Sequence, residues 1–246
     1  MRIPMTRLVR IELTKMISTR SGLWLTVSLG VLPCLGAAAV ALIAPVFNQN
    51  VGDMLKPSDQ ALTLVLPVIA ILSVTGEWSQ RAGLTTFTLV PRRERVIWAK
   101  FCAIVIIWVV SMAVQFGITM IGAFLRSGLP LPWDLTVTGA VMIMVNQGVG
   151  MLVAFTIALH ARSSVGAIVG YFGYFILLSI ALGLLSRASP WFSAHRGWLD
   201  FQNNVDWLVF NGPHGYDWTQ LAVTASYWLI VPLVLGWKLA ARSEVK

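Results

Sequence analysis

Three histidines, two cysteines and a few amides within apolar runs are the residues of this sequence whose chemistry bears first on function. His160, His195 and His214 show no HExxH spacing, and no Cys/His cluster occurs. A metalloprotease is therefore excluded, and no metal site is expected. Cys34 and Cys102 both fall inside apolar runs without a redox or ligand spacing, and read as small apolar filler. Ser163-Ser164-Val165-Gly166 reads as a polar helix start after a turn, because the GxSxG elbow of serine hydrolases is missing. No GxxxxGK[ST] motif occurs, so the chain does not bind and hydrolyse ATP by that route. No catalytic residue is expected. What remains is Gln115, Thr119, Asn146 and Gln147, polar groups in the middle of apolar runs. Such side chains usually bond across helices, at about 0.6 kcal/mol per contact. The functional alternative is that they line a substrate path.

The elements that hold these residues follow from composition. Of 246 residues, 57% are hydrophobic and 11% charged, against about 25% charged in soluble domains. Repeated apolar runs of about 20 residues account for the shortfall, since each can cross the hydrocarbon layer as a helix. The runs are continuous rather than alternating, so helices and not a barrel satisfy the backbone. We place six spans at 23–44, 61–76, 97–125, 136–159, 164–186 and 219–240. The polar loop 45–60 ends at Pro57-Ser58, which reads as a helix start. The first run is too long for a signal peptide and follows a basic segment. No carboxylate is expected inside any span, which argues against proton-coupled carriers and ion pumps. The fold class is all-α, a polytopic membrane protein forming one domain over 1–246.

The net charge of +8 is read by position. Lys56, Arg126, Arg187 and Arg196 fall on one side of the six spans, and the rest of the 18 Lys/Arg fall on the other. Basic residues in short loops mark the cytoplasmic side. Both termini and segment 77–100 are thereby placed in the cytoplasm, and nucleic acid is not needed to explain the charge. Residues 1–22 form a basic amphipathic helix. Val9, Leu13, Met16 and Ile17 share one face, with Arg7 and Arg10 opposite and Lys15 adding charge. Such a helix lies in the inner interface with its cations near anionic lipid; a simple positive-inside anchor is the plainer alternative. Segment 187–218 interleaves Trp198, Phe201, Trp207 and Phe210 with Asp and Asn. It is too polar to span, and reads as short helices in, or dipping into, the outer interface. An outer gate and an aromatic anchor both fit it.

Segment 77–100, EWSQRAGLTTFTLVPRRERVIWAK, is longer than a reversal requires. It holds a helical middle, a proline stop and a basic cluster. Its order, Gly76-Glu77, Gly83, a Thr/Leu/Phe run to Leu89-Val90, then Pro91, arginines and Lys100, resembles the signature of permease subunits of ABC transporters of the ABC-2 exporter type. The order of parts is similar over essentially the whole chain. The sequence departs from the family pattern at Gly83-Leu84-Thr85, where Gly and Thr are usually adjacent, and at Glu94, where Arg is common.

The resemblance implies a transport subunit of the bacterial cytoplasmic membrane without its own catalytic site. It implies a second permease copy, or a similar permease, and two separate ATP-binding subunits that carry ATP and Mg; this chain holds no cofactor. It also implies that 77–96 is a cytoplasmic coupling loop whose short helix, roughly Arg81 to Val90, docks on the ATPase. Glu77, Arg81, Gly83, Leu84, Thr85, Phe87, Thr88, Pro91, Arg92, Arg93 and Arg95 are then the coupling residues, with Leu84 and Phe87 sharing a face as apolar anchors. The cargo class is an amphiphilic drug, lipid or peptide. The alternative is a membrane enzyme or scaffold that acts on lipids without an ATPase. It requires a polar cluster at one depth, which is not evident in the sequence.

Overall fold

A computed structural model describes residues 4–43, 51–79, 93–127, 136–211 and 218–242. The described chain is all-helical, and six of its helices are long and apolar enough to cross a membrane. This is the architecture of an α-helical multi-pass membrane protein. The expected coupling residues Arg81, Gly83, Leu84, Thr85, Phe87, Thr88, Pro91 and Arg92 lie outside the described residues.

Contacts divide the chain into two units, Met1–Ile69 with Trp98–Gly148, and Ala70–Ile97 with Val149–Lys246. In the first unit α1 (Met5–Ser18) leads into α2 (Arg20–Ile43). Thr19 is extended between them, and its Oγ1 accepts the Gly22 amide at 3.1 Å, capping α2. Helix α3 (Val51–Ser79) starts ten residues before the expected span, inside the segment read as a loop. Pro57 is therefore within the helix and not at its start. A proline there removes one backbone donor. The Ser58 hydroxyl donates back to the Leu55 carbonyl at 3.0 Å, a local side-chain bond within the same turn. Gly36 of α2 lets the two helices close on this turn, since a Cβ there would stand 3.1 Å from the Ser58 nitrogen.

The early start of α3 carries Asp59 into a membrane-spanning helix. This corrects the expectation of carboxylate-free spans, and with it the ground for setting ion- or proton-dependent function aside. Helix α4 (Arg93–Ser127) has 35 residues. At 1.5 Å per residue it is far longer than the ~30 Å hydrocarbon layer, so it tilts or projects. Helix α5 (Val137–Ala161) follows.

In the second unit, α5 turns back at Arg162, whose φ is 50°. Ser163 then caps α6 (Ser164–Phe172) by accepting the Gly166 amide. The fifth span continues through a π-helical turn, Gly173–Leu178, into α7 (Ser179–Ala188). The sixth span has the same plan: α10 (Trp218–Ala225), a π turn Ser226–Ile230, and α11 (Val231–Arg242). Between the two spans lie α8 (Pro190–His195), a 3-10 turn and α9 (Phe201–Asn211). The described stretch 187–211 of segment 187–218 thus holds short helices, as its composition suggests.

Candidate functional site

Two polar clusters stand out in the first unit, each buried in otherwise apolar surroundings. The first fastens α1. Its buried residues are Leu8, Glu12 and Met16, one per turn. Glu12 Oε2 takes the Lys100 ammonium at 2.7 Å, and Oε1 takes Lys15 at 2.8 Å. The Glu12 and Lys100 side chains are each 6% exposed. Burial by itself raises the Glu12 carboxyl, but attraction to Lys100 and hydrogen bonds from both lysines outweigh it, leaving the carboxyl below its ordinary value.

This arrangement revises the expected face of α1. Met16 is buried, Val9 and Leu13 are half-buried, and Arg7 and Arg10 are exposed, as expected. Ile17 is exposed instead, and Leu8 and Glu12 take its place. Lys15 is half-buried because it turns toward Glu12. Glu12 is the lone acid of the helix, on its apolar side and three residues before Lys15; that spacing was the available signal.

The second cluster joins α3, α4 and α5. Gln147 Nε2 donates to Asp59 Oδ1 at 2.6 Å and to Gln115 Oε1 at 3.3 Å. Gln115, Thr119 and Gln147 are fully buried, and Asp59 is half-buried. On α4 the buried stripe runs Ser111, Met112, Gln115, Thr119, Ala123, the a/d-like spacing of one helix face. Gln115 Nε2, Gln147 Oε1, and the side-chain polar atoms of Thr119, Thr63 and Trp108 have no hydrogen-bond partner among the described residues. Trp108 packs over Gly148, where a Cβ would meet its ring at 3.0 Å. Gly148 is thus an approach point within the chain.

Of the four expected path residues, Gln115 and Gln147 are hydrogen-bonded to each other, and the buried Thr119 lies one turn from Gln115 along α4. Asn146 is half-buried on another face of α5. The sequence pattern leaves Asp59 out of the span because the polar stretch 45–60 covers it. The polar cluster thought missing is therefore present.

In the second unit, the aromatic segment is fastened to the sixth span by polar bonds. Asp200 accepts the Asn203 amide at 3.0 Å and pairs with Arg196 at 3.0 Å. Asn204 donates to the Gly197 carbonyl at 2.7 Å and to Thr224 at 3.1 Å. The Trp198 and Leu199 carbonyls accept from Tyr227 and Trp228. Gln202 donates to Asp206 at 2.8 Å. Burial raises the Asp206 carboxyl, against the Gln202 bond and with added repulsion from Asp200. Phe192 and Phe201 are buried, whereas Trp191, Trp198, Trp207 and Trp218 are exposed. Outward tryptophans over a phenylalanine core suit a headgroup anchor. The side chain of Phe210 is outside the described residues.

Of the coupling residues, only three touch the described helices. Glu77 is in the last turn of α3, Arg93 opens α4, and Arg95 is half-buried in its first turn. No group of His, Cys, Asp and Glu suited to a metal occurs among the described residues. The chain matches no protein-family model, and no curated protein is similar to it.

Proposed function

We propose that this chain is the permease subunit of an ATP-driven exporter of the ABC-2 type, moving an amphiphilic molecule out of the cytoplasm. The observation that carries this reading is the clasp on α1. A basic amphipathic helix is bound through Glu12 to Lys100, near the start of the third membrane helix. In the sequence Lys100 closes the basic segment 77–100. The Glu12–Lys100 pair thus ties the basic amphipathic helix to the third membrane helix, at the residue that closes that segment in the chain. Without a nucleotide motif in the sequence, work must reach the membrane helices through that segment.

The test is co-purification with the ATP-binding subunit encoded beside this chain. Phe87→Asp is expected to abolish both co-purification and substrate-stimulated ATP hydrolysis while membrane insertion is unchanged. Retained co-purification with normal transport would remove Phe87 from the docking face.

The Asp59–Gln147–Gln115 cluster favours a second reading, an ATPase-independent membrane enzyme or scaffold acting on lipids. It supplies the polar group at one depth that such a protein needs. A purified chain that turns over a lipid with no partner present would establish it.

A further inference from the structure

Asp59 is a carboxylate in a membrane-spanning helix, and among the described residues no countercharge is bonded to it. Its Oδ1 accepts from a neutral amide, Gln147 Nε2, at 2.6 Å. No Lys, Arg or His side chain bonds to it among the described residues; Lys56 stands one turn earlier on the exposed surface. Charge at that position is costly unless it is neutralised or matched. The two amides beside it are each half-used. Gln147 has spent both hydrogens and holds a free Oε1, and Gln115 has spent its oxygen and holds a free Nε2. Because the other atom of each amide is already bonded within the cluster, these free atoms lie inside it. Thr119, one turn from Gln115, and Thr63, one turn from Asp59, add unpartnered hydroxyls.

We propose that this cluster is a binding site for a protonated amine that carries a neighbouring oxygen, borne on an apolar body. The ammonium offers donors to Asp59, Gln147 Oε1 and the threonine hydroxyls. The oxygen accepts from Gln115 Nε2 or Trp108 Nε1, both donors in want of an acceptor. Other occupants satisfy less. Water brings no charge to the carboxylate. A proton on Asp59 leaves both amides half-paired. A bare metal cation would be met by the N–H groups of Gln115 and Trp108 and by one carboxylate only. The half-buried Asp59 stands at the open side of the cluster, with the fully buried Gln115 and Thr119 behind it. An amine-bearing lipid headgroup and a free amphiphilic amine share this chemistry. The proposal does not depend on an ATPase partner.

The experiment uses the full chain in nanodiscs of phosphatidylglycerol, with no ATPase and no ATP. N-dodecylethanolamine and its uncharged N-acetyl derivative are the probes. The amine is expected to bind about tenfold or more tighter than the neutral analogue, the scale of one charge-assisted hydrogen bond. Asp59→Asn keeps the bond from Gln147 and is expected to remove that preference. Equal binding of the two probes to the unaltered chain would overturn the proposal, and this comparison needs no variant to fold. A preference undiminished in a folded Asp59→Asn protein would overturn it as well. Added phosphatidylethanolamine separates the sources. Competition with the amine assigns the site to a headgroup, and its absence assigns the site to a free amine.

Discussion

Glu12 is the residue on which the most local structure rests. Its two carboxylate oxygens serve two lysines, one buried and one half-exposed. Removing one partner of a buried pair leaves the other as an uncompensated charge, at about 3–5 kcal/mol, whereas replacing both by apolar groups is often close to neutral. Glu12→Gln or Lys100→Met alone is therefore expected to detach α1 and lower the unfolding midpoint. Glu12→Leu with Lys100→Met should recover most of the loss. Denaturant melts in detergent across the four proteins would check this, and additive losses would show that the pair is not coupled. The pH dependence has a fixed sign. Because the carboxyl lies below its ordinary 4.5 in the folded chain, the stabilisation is complete above that value. It is lost as pH falls through the lowered one.

At the scale of elements, the helices were legible because lipid enforces a plain rule: apolar runs of sufficient length become helices. All six spans are found, with ends shifted outward by a few residues in most. The error at Pro57 has a physical source. In water a proline after polar residues is a good helix start. Here α3 runs through Pro57 and Gly36 of α2 packs against that turn, which no local pattern reveals. That single misplacement hid Asp59, and with it the cluster in which Gln147 bonds both Asp59 and Gln115. The helices α8 and α9 were legible as short elements, but not the bonds that fix them to the sixth span, which join residues some 20 to 30 positions apart. Asp200 is their keystone, since it caps α9 and holds Arg196. Asp200→Ala is expected to cost about 1–2 kcal/mol locally, the range for a lost helix cap. Hydrogen exchange should then quicken over 201–211 while the buried stripe of α4 stays protected. Uniform protection would mean that the aromatic packing of Phe192 and Phe201 alone secures the segment.

For the whole molecule the decisive property is orientation, because every functional reading of segment 77–100 requires it to face the cytoplasm. The argument is electrostatic. Four basic residues on one side against the rest of the 18 on the other is a strong asymmetry over short connections. It predicts that 94 and 162 lie inside and that 56 and 195 lie outside. Cys34 and Cys102 would first be changed to alanine to clear the background. Single cysteines would then be placed as Glu94→Cys, Arg162→Cys, Lys56→Cys and His195→Cys, all at exposed positions. A membrane-impermeant maleimide applied to intact cells should label the last two, and the first two only after permeabilisation. The opposite pattern would put segment 77–100 on the outer side, beyond the reach of any cytoplasmic ATPase. The permease reading would then fail whatever the sequence likeness, while the amine site, which rests on contacts within one unit of the chain, would stand.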